Sequence, residues 1–138
     1  MQKENKASHS VARQSRSATH PGTHDESDMQ ACIDICLDCY GTCASTVVYC
    51  LQMGGQHAGA AHVALMLDCA DICQTSANFM LRRSSFHPHT CAICAELCEQ
   101  CAKDCERFED DRQMKACADM CRKCAQSCQS MAAAVVAA

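Results

Sequence analysis

The sequence predicts an all-α protein, an up-down-up-down four-helix bundle with a cysteine-lined core, on three observations. First, its sixteen cysteines recur at alternating gaps of three and four residues, the spacing that keeps one stripe of a 3.6-residue helix in line. Second, the stripes are separated by short stretches carrying Gly, Pro and Asp, which end one helix and start the next. Third, aromatic residues are 4% of the chain and Trp is absent, so cysteine, Ala, Met and a few aliphatics have to fill the interior. At 138 residues the chain is long enough for one domain with a core of its own. A formal charge of −4 gives no footprint for nucleic acid.

Residues 1–24 read as a disordered polar tail, with Lys3, Lys6, Arg13 and Arg16 but no apolar period. His9, His20 and His24 are at most weak metal ligands there. The tail has no apolar run of signal-peptide length, and Arg13 and Arg16 are not adjacent, so no export signal is read. A cytoplasmic location with reduced thiols is therefore expected. The run from Ala132 to Ala138 is too short to span a bilayer, and no membrane partner is expected.

The bundle is expected over residues 25–138, with helices at about 28–53, 57–83, 88–108 and 111–133. Ser27-Asp28-Met29-Gln30 has the form of a capping box, which starts helix one near Asp28. Its stripe is Met29, Cys32, Cys36, Cys39, Cys43, Thr46, Cys50 and Met53, closed by Gly54-Gly55. Helix two carries His62, Met66, Cys69, Cys73, Ser76 and Met80, with Arg82 and Arg83 at the negative end of its dipole. Pro88 fits the first turn of helix three, whose stripe is Cys91, Cys94, Cys98, Cys101, Cys105 and then Phe108. Asp110-Asp111 precedes helix four, with Met114, Cys117, Cys121, Cys124, Cys128 and Met131 in line.

Inward stripes meet at the axis of a bundle, so the axis is lined with sulfur. Ordinary packing does not explain sixteen stripe positions filled by one rare residue with no Leu, Ile or Val among them, because cysteine leaves volume that Leu would occupy. A disulfide framework is disfavoured by competing neighbours along each helix and by the absence of an export signal. Zinc would use the thiolates as about four ions and leave about eight uncompensated charges in the core. Iron–sulfur clusters need cysteines in separate groups of four. Cu(I) is soft and monovalent, so about one ion per thiolate brings the core near neutrality. Cys-x-x-x-Cys sets two thiols on one helical face to clamp an ion, and Cys-x-x-Cys links one clamp to the next. Such a row suits holding many ions better than catalysis, so no enzyme activity is expected. An iron–sulfur or thiol redox electron carrier is the alternative.

The pattern resembles the bacterial copper storage proteins, four-helix bundles whose cysteine-lined interiors hold many Cu(I) ions. The resemblance spans about residues 28–131 and rests on seven motifs. These are Cys32-x-x-x-Cys36, Cys39-x-x-x-Cys43, Cys69-x-x-x-Cys73, Cys94-x-x-x-Cys98, Cys101-x-x-x-Cys105, Cys117-x-x-x-Cys121 and Cys124-x-x-x-Cys128. Cys50 and Cys91 fall outside these pairs. The resemblance, to the cytosolic kind, implies copper storage and detoxification by a homotetramer.

Beyond the cysteines, uncharged soft donors are expected at the ends of the row: Met53, His57, His62 and Met114 at one end, with Met66 one turn inward. The face of helix one opposite its cysteines reads Leu37, Gly41, Ala44, Val48, Leu51, and helix two adds Ala60, Ala64 and Leu67. The outer positions of the other two helices are polar. A homo-oligomer built through helices one and two is therefore expected.

Overall fold

A computed structural model describes residues 26–136 as four α-helices joined by short links. Helix α1 spans Glu26–Met53, α2 Ala60–Leu81, α3 His87–Cys105 and α4 Arg112–Val136. Consecutive helices pack on one another, and α1 packs on α4 to close the ring. This is the up-down-up-down bundle, and no strand occurs among the described residues. The expected tail, with His9, His20 and His24, lies outside the described residues.

Every cysteine is fully buried, at 0% exposure. On α2 to α4 a buried Ala follows many of them: Ala70, Ala95, Ala102, Ala118 and Ala125. These methyl-sized neighbours let the helices approach closely enough for thiols to meet across the axis. Larger buried side chains, Ile33 and Val47, flank the row on α1. By length and composition α1 is apolar enough to cross a bilayer, yet its cysteine stripe is covered by the other helices.

The links depart from the expected boundaries for local reasons. Glu26 is already helical, so Ser27 sits inside the first turn of α1 and not at a cap. Gly54 and Gly55 take φ of 70° and 56°, which ends α1 where the glycines predict. Residues Gly55–Ala58 then close as a 3₁₀ turn, so α2 starts at Ala60 and not at 57. At the far end of α2, Ser84 N–H donates to Phe79 O and Arg83 N–H to Met80 O. This is a Schellman motif with Arg83, φ 54°, at the left-handed position usually held by Gly. The Arg83 guanidinium also donates to Met80 O, 2.7 Å.

Helix α3 stops at Cys105, three residues short of the expected 108. Its last turn tightens through Arg107 N–H to Asp104 O and Phe108 N–H to Cys105 O. That frees Phe108 to fold over the end of the bundle. Asp111 caps α4, its Oδ1 accepting from Gln113 N–H at 3.0 Å and Met114 N–H at 3.1 Å. Helix α4 runs on to Val136, past the expected 133.

Candidate metal centre

The sulfurs form a connected row along the axis, and most of the links in it cross between helices. Cys36 meets Cys128 at 3.5 Å and Cys124 at 3.8 Å. Cys73 meets Cys98 at 3.6 Å, Cys94 at 3.7 Å and Cys124 at 3.8 Å. Cys43 meets Cys121 at 3.6 Å and Cys69 at 3.8 Å. Among the same-helix Cys-x-x-x-Cys pairs, Cys39 meets Cys43 at 4.0 Å and Cys94 meets Cys98 at 3.9 Å. The donor sets that the sulfurs form span three or four helices, and two of them include an i, i+4 pair, Cys124–Cys128 and Cys39–Cys43. Antiparallel neighbours bring sulfurs from different helices to one level, and i, i+4 sulfurs on one helix lie on the same face.

Three sets of four sulfurs lie mutually within 4.8 Å: Cys36, Cys94, Cys124 and Cys128; Cys39, Cys73, Cys98 and Cys124; Cys39, Cys43, Cys69 and Cys121. They share corners, Cys124 between the first two and Cys39 between the last two. A metal–sulfur bond of about 2.3 Å sets ligand sulfurs about 3.8–4.0 Å apart in tetrahedral or trigonal sites. The cross-helix separations of 3.5–3.8 Å are close to that requirement. Shared corners mean that three separate four-sulfur clusters cannot be filled at once, whereas ions bridged by common thiolates can.

Burial works against charge along the row. It pushes the Cys50 thiol up to about 11, with the nearby Cys117 and Asp111 adding repulsion. Hydrogen bonding with Cys101 raises Cys43 and Cys121, and hydrogen bonding with Cys124 raises Cys73 and Cys98, with burial acting the same way. Sulfurs that receive such bonds are pushed down, Cys69 chiefly by Cys101 and Cys124 chiefly by Cys128. The protons therefore belong to the row and not to single residues.

At the end near the α1–α2 link the donors change. Cys50 Sγ lies 3.4 Å from His62 Nε2 and 3.5 Å from Met114 Sδ. His62 is 4% exposed, and its Nδ1 pairs with Asp104 Oδ2 at 2.5 Å. Burial acts to raise the Asp104 carboxyl, but hydrogen bonds from His62 and Arg107 outweigh it and hold the group below the usual carboxylate range. An ionised Asp104 can only accept, so Nδ1 donates to it and Nε2 is the ring nitrogen that faces Cys50. Thiol, imidazole and thioether thus converge on one point.

His57 stands outside that point. Its Nε2 donates to Asp111 Oδ2 at 2.9 Å, beside the Tyr49 hydroxyl at 2.7 Å. The Phe108 ring lies between the two imidazoles, with its centroid 4.2 Å from His57 and 4.9 Å from His62. Met66 is buried on α2. Met53 is not brought to the row: it is 54% exposed, because α1 ends there and His62 with Met114 already closes the core beyond Cys50. At the opposite end Cys91 Sγ lies 3.9 Å from Met80 Sδ, while His87 Nδ1 is taken up by Ser84 O at 2.8 Å.

The sequence pattern missed Asp104. It lies beside the stripe and not on it, and only the level of α3 against α2 brings it to His62. A carboxylate next to the last cysteine of the stripe, in a bundle with one stripe histidine, was the available signal.

A family model described as copper storage protein matches residues 25–133. Among solved structures, the chain is similar to the Nmul_A1745 protein from Nitrosospira multiformis, with 48% identity and a TM-score of 0.75, covering 79% of this chain and 98% of that one. It is similar to the Cu(I)-bound copper storage protein BsCsp3, with 37% identity and a TM-score of 0.71, covering 76% of this chain and 98% of that one. It is also similar to apo-Csp3 from Bacillus subtilis, with 38% identity and a TM-score of 0.68, covering 75% and 97%.

Proposed function

The chain belongs to the copper storage protein family, and from that premise we propose how its residues hold the Cu(I) ions it stores. The observation that carries the reading is the corner-sharing of the sulfur sets. A working metal centre needs one defined site with an open position; a row of shared thiolates accepts ions successively. The ions are cargo, held on the sixteen cysteines, and the protein performs no catalysis on them.

Cys50, His62 and Met114 form the end of the row, and His57 lies beyond it across Phe108. Imidazole and thioether stay uncharged while binding Cu(I), so they pass an ion inward without burying net charge. A surface cavity of about 640 Å³, lined by Tyr49, His57, Phe108 and Asp111 among others, opens here and supports this end as the mouth. A reducing, cytoplasmic setting fits sixteen free buried thiols.

The assembly is a homotetramer joined through α1 and α2. Leu37, Val48, Leu51 and Leu67 stay exposed in the single chain, at 40–55%. The outer faces of α3 and α4 are instead tied together by a bidentate pair, Arg122 to Glu106 at 2.7 and 3.0 Å. Exposed Ile93 on α3 is an isolated exception.

An anaerobic Cu(I) titration against a competing chelator tests the reading. Saturation is expected near or above the cysteine count, and the His62→Ala chain should reach nearly the same end point more slowly. Saturation after one to four equivalents would refute storage on the row, and unchanged kinetics in His62→Ala would refute this mouth.

A further inference from the structure

Two cysteines stand outside the Cys-x-x-x-Cys pairs, Cys50 on α1 and Cys91 on α3. The fold sends them to opposite ends of the sulfur row, and each meets a thioether from another helix. Cys50 Sγ lies 3.5 Å from Met114 Sδ on α4, and Cys91 Sγ lies 3.9 Å from Met80 Sδ on α2. All four residues are at 0% exposure. The first contact belongs to the mouth already described. The second lies at the far end, where it has had no role.

The register of α2 places Met80 there. Cys73, two turns earlier on the α2 stripe, meets Cys94 at 3.7 Å. Because α3 runs the other way, Met80 reaches the level of Cys91, three residues before Cys94. The end of α2 holds it in place: Arg83 N–H donates to Met80 O at 3.0 Å, and the Arg83 guanidinium donates to the same oxygen at 2.7 Å. Across the axis Cys91 interacts with Cys128 and Cys32, whose sulfurs are 4.0 Å apart. The far end is therefore a layer of Cys32, Met80, Cys91 and Cys128, one sulfur from each helix. The set Cys39, Cys73, Cys98 and Cys124 has the same plan, with a cysteine in the α2 place.

A thioether is a soft donor that binds Cu(I) and brings no charge of its own. The Cys91 S–H donates to the Met80 sulfur, so the thioether faces Cys91 with its donor atom. Their 3.9 Å separation is the spacing of two sulfurs on one metal ion. Resting on the storage reading, we propose that Met80 is a Cu(I) ligand, completing with Cys91, Cys32 and Cys128 the terminal site at the far end of the row. As an ion enters, the Cys91 S–H bond breaks, a copper–sulfur bond forms in its place and the proton leaves to solvent. Met80 adds a lone pair with no proton to lose, and no electron is transferred. Cys91 is the last sulfur of its stripe, so its ion has no further thiolate beyond it and depends on the thioether.

The full chain and its Met80→Leu variant, both grown with selenomethionine and loaded anaerobically with Cu(I), test this by X-ray absorption at the selenium edge. The wild type should show copper at bonding distance from selenium, and the variant should lose part of that signal. Leu keeps nearly the volume of Met, so the copper-free variant should unfold near the wild-type denaturant midpoint. A competing chelator should nevertheless remove about one Cu(I) per chain from it at roughly tenfold lower strength than from the wild type. An undiminished selenium–copper signal in Met80→Leu, wild-type retention of every ion by that variant, or no selenium–copper signal in the wild type would each overturn the assignment. Those failures in a chain that fills near its cysteine count leave storage standing, whereas a wild-type chain saturating after a few ions overturns both readings.

Discussion

Loading the row at neutral pH should release about one proton for each Cu(I) bound, up to about sixteen per chain. The number follows from burial. All sixteen thiols are at 0% exposure, and each uncompensated charge at such a site costs several kcal/mol. Cys50, pushed up to about 11 chiefly by burial, is protonated at pH 7. A monovalent ion entering the row must then displace one S–H proton to keep the core neutral. Once the thiols are used, further ions can only take His62 or Met114, which lose no proton, so the release should stop. A divalent ion at four-thiolate sites would instead release about four protons per ion and stop after about four ions.

The assay is an anaerobic titration of Cu(I), supplied as an acetonitrile complex, into weakly buffered protein held at pH 7 by a pH-stat. The expected record is a slope near one with a break near the cysteine count. A slope well under one half from the first addition would mean that the row is already ionised when empty, and would refute the neutral-core argument. An early break would refute the use of the whole row.

Two further outcomes follow from the geometry. Val48→Glu with Leu51→Glu, both 55% exposed in the single chain, should break the assembly into smaller species by burying charge at the α1 contact; sedimentation reads this, and a wild-type chain that is already monomeric at micromolar concentration defeats it. The copper capacity of that variant should be kept. The empty protein should also lose stability in alkali, because Cys50 has a folded pKa of about 11 against 9.0 when unperturbed. Between those values the unfolded chain has lost a proton that the native state keeps. Stability is therefore intact below about pH 9 and falls toward pH 11, by at most about 1.4 kcal/mol per pH unit for this group. Urea unfolding at pH 8, 9 and 10 should show a shallower slope in Cys50→Ser, and equal slopes would remove Cys50 as a source.

The inward stripes were legible because a period of three and four can mean only one helical face. The cysteines predicted as inward are all buried, and Asp111 caps α4 where Asp110-Asp111 pointed. What remained hidden depends on level and not on face. Met53 continues the spacing three residues beyond Cys50, yet the core stops at Cys50 because His62 and Met114 fill the next layer. Phe108 continues the α3 stripe on paper, but the helix ends at Cys105 and the ring turns over the bundle end instead. Arg83 ends α2 in a left-handed conformation with no Gly to announce it. The cross-helix sulfur contacts needed the lengths of the links, and the 3₁₀ turn at Gly55–Ala58, which sets the level of α2 against α1, has no strong sequence signal.

The shared corners decide what kind of copper protein this fold makes. If each set of four sulfurs were closed, an ion moving inward would have to leave one site completely before entering the next. That would pass it through an uncoordinated state in a medium with no water to replace its ligands, at the cost that makes buried lone charges prohibitive. Cys124 and Cys39 remove that step. A thiolate common to two sets can hold an ion while the others exchange, so movement along the axis proceeds by ligand replacement with at least one sulfur bound throughout. The same sharing lowers the number of sulfurs needed per ion below what independent four-sulfur clusters would require. High capacity and inward mobility thus arise from one feature, the meeting of sulfurs from different helices that carry the same three-and-four cysteine period.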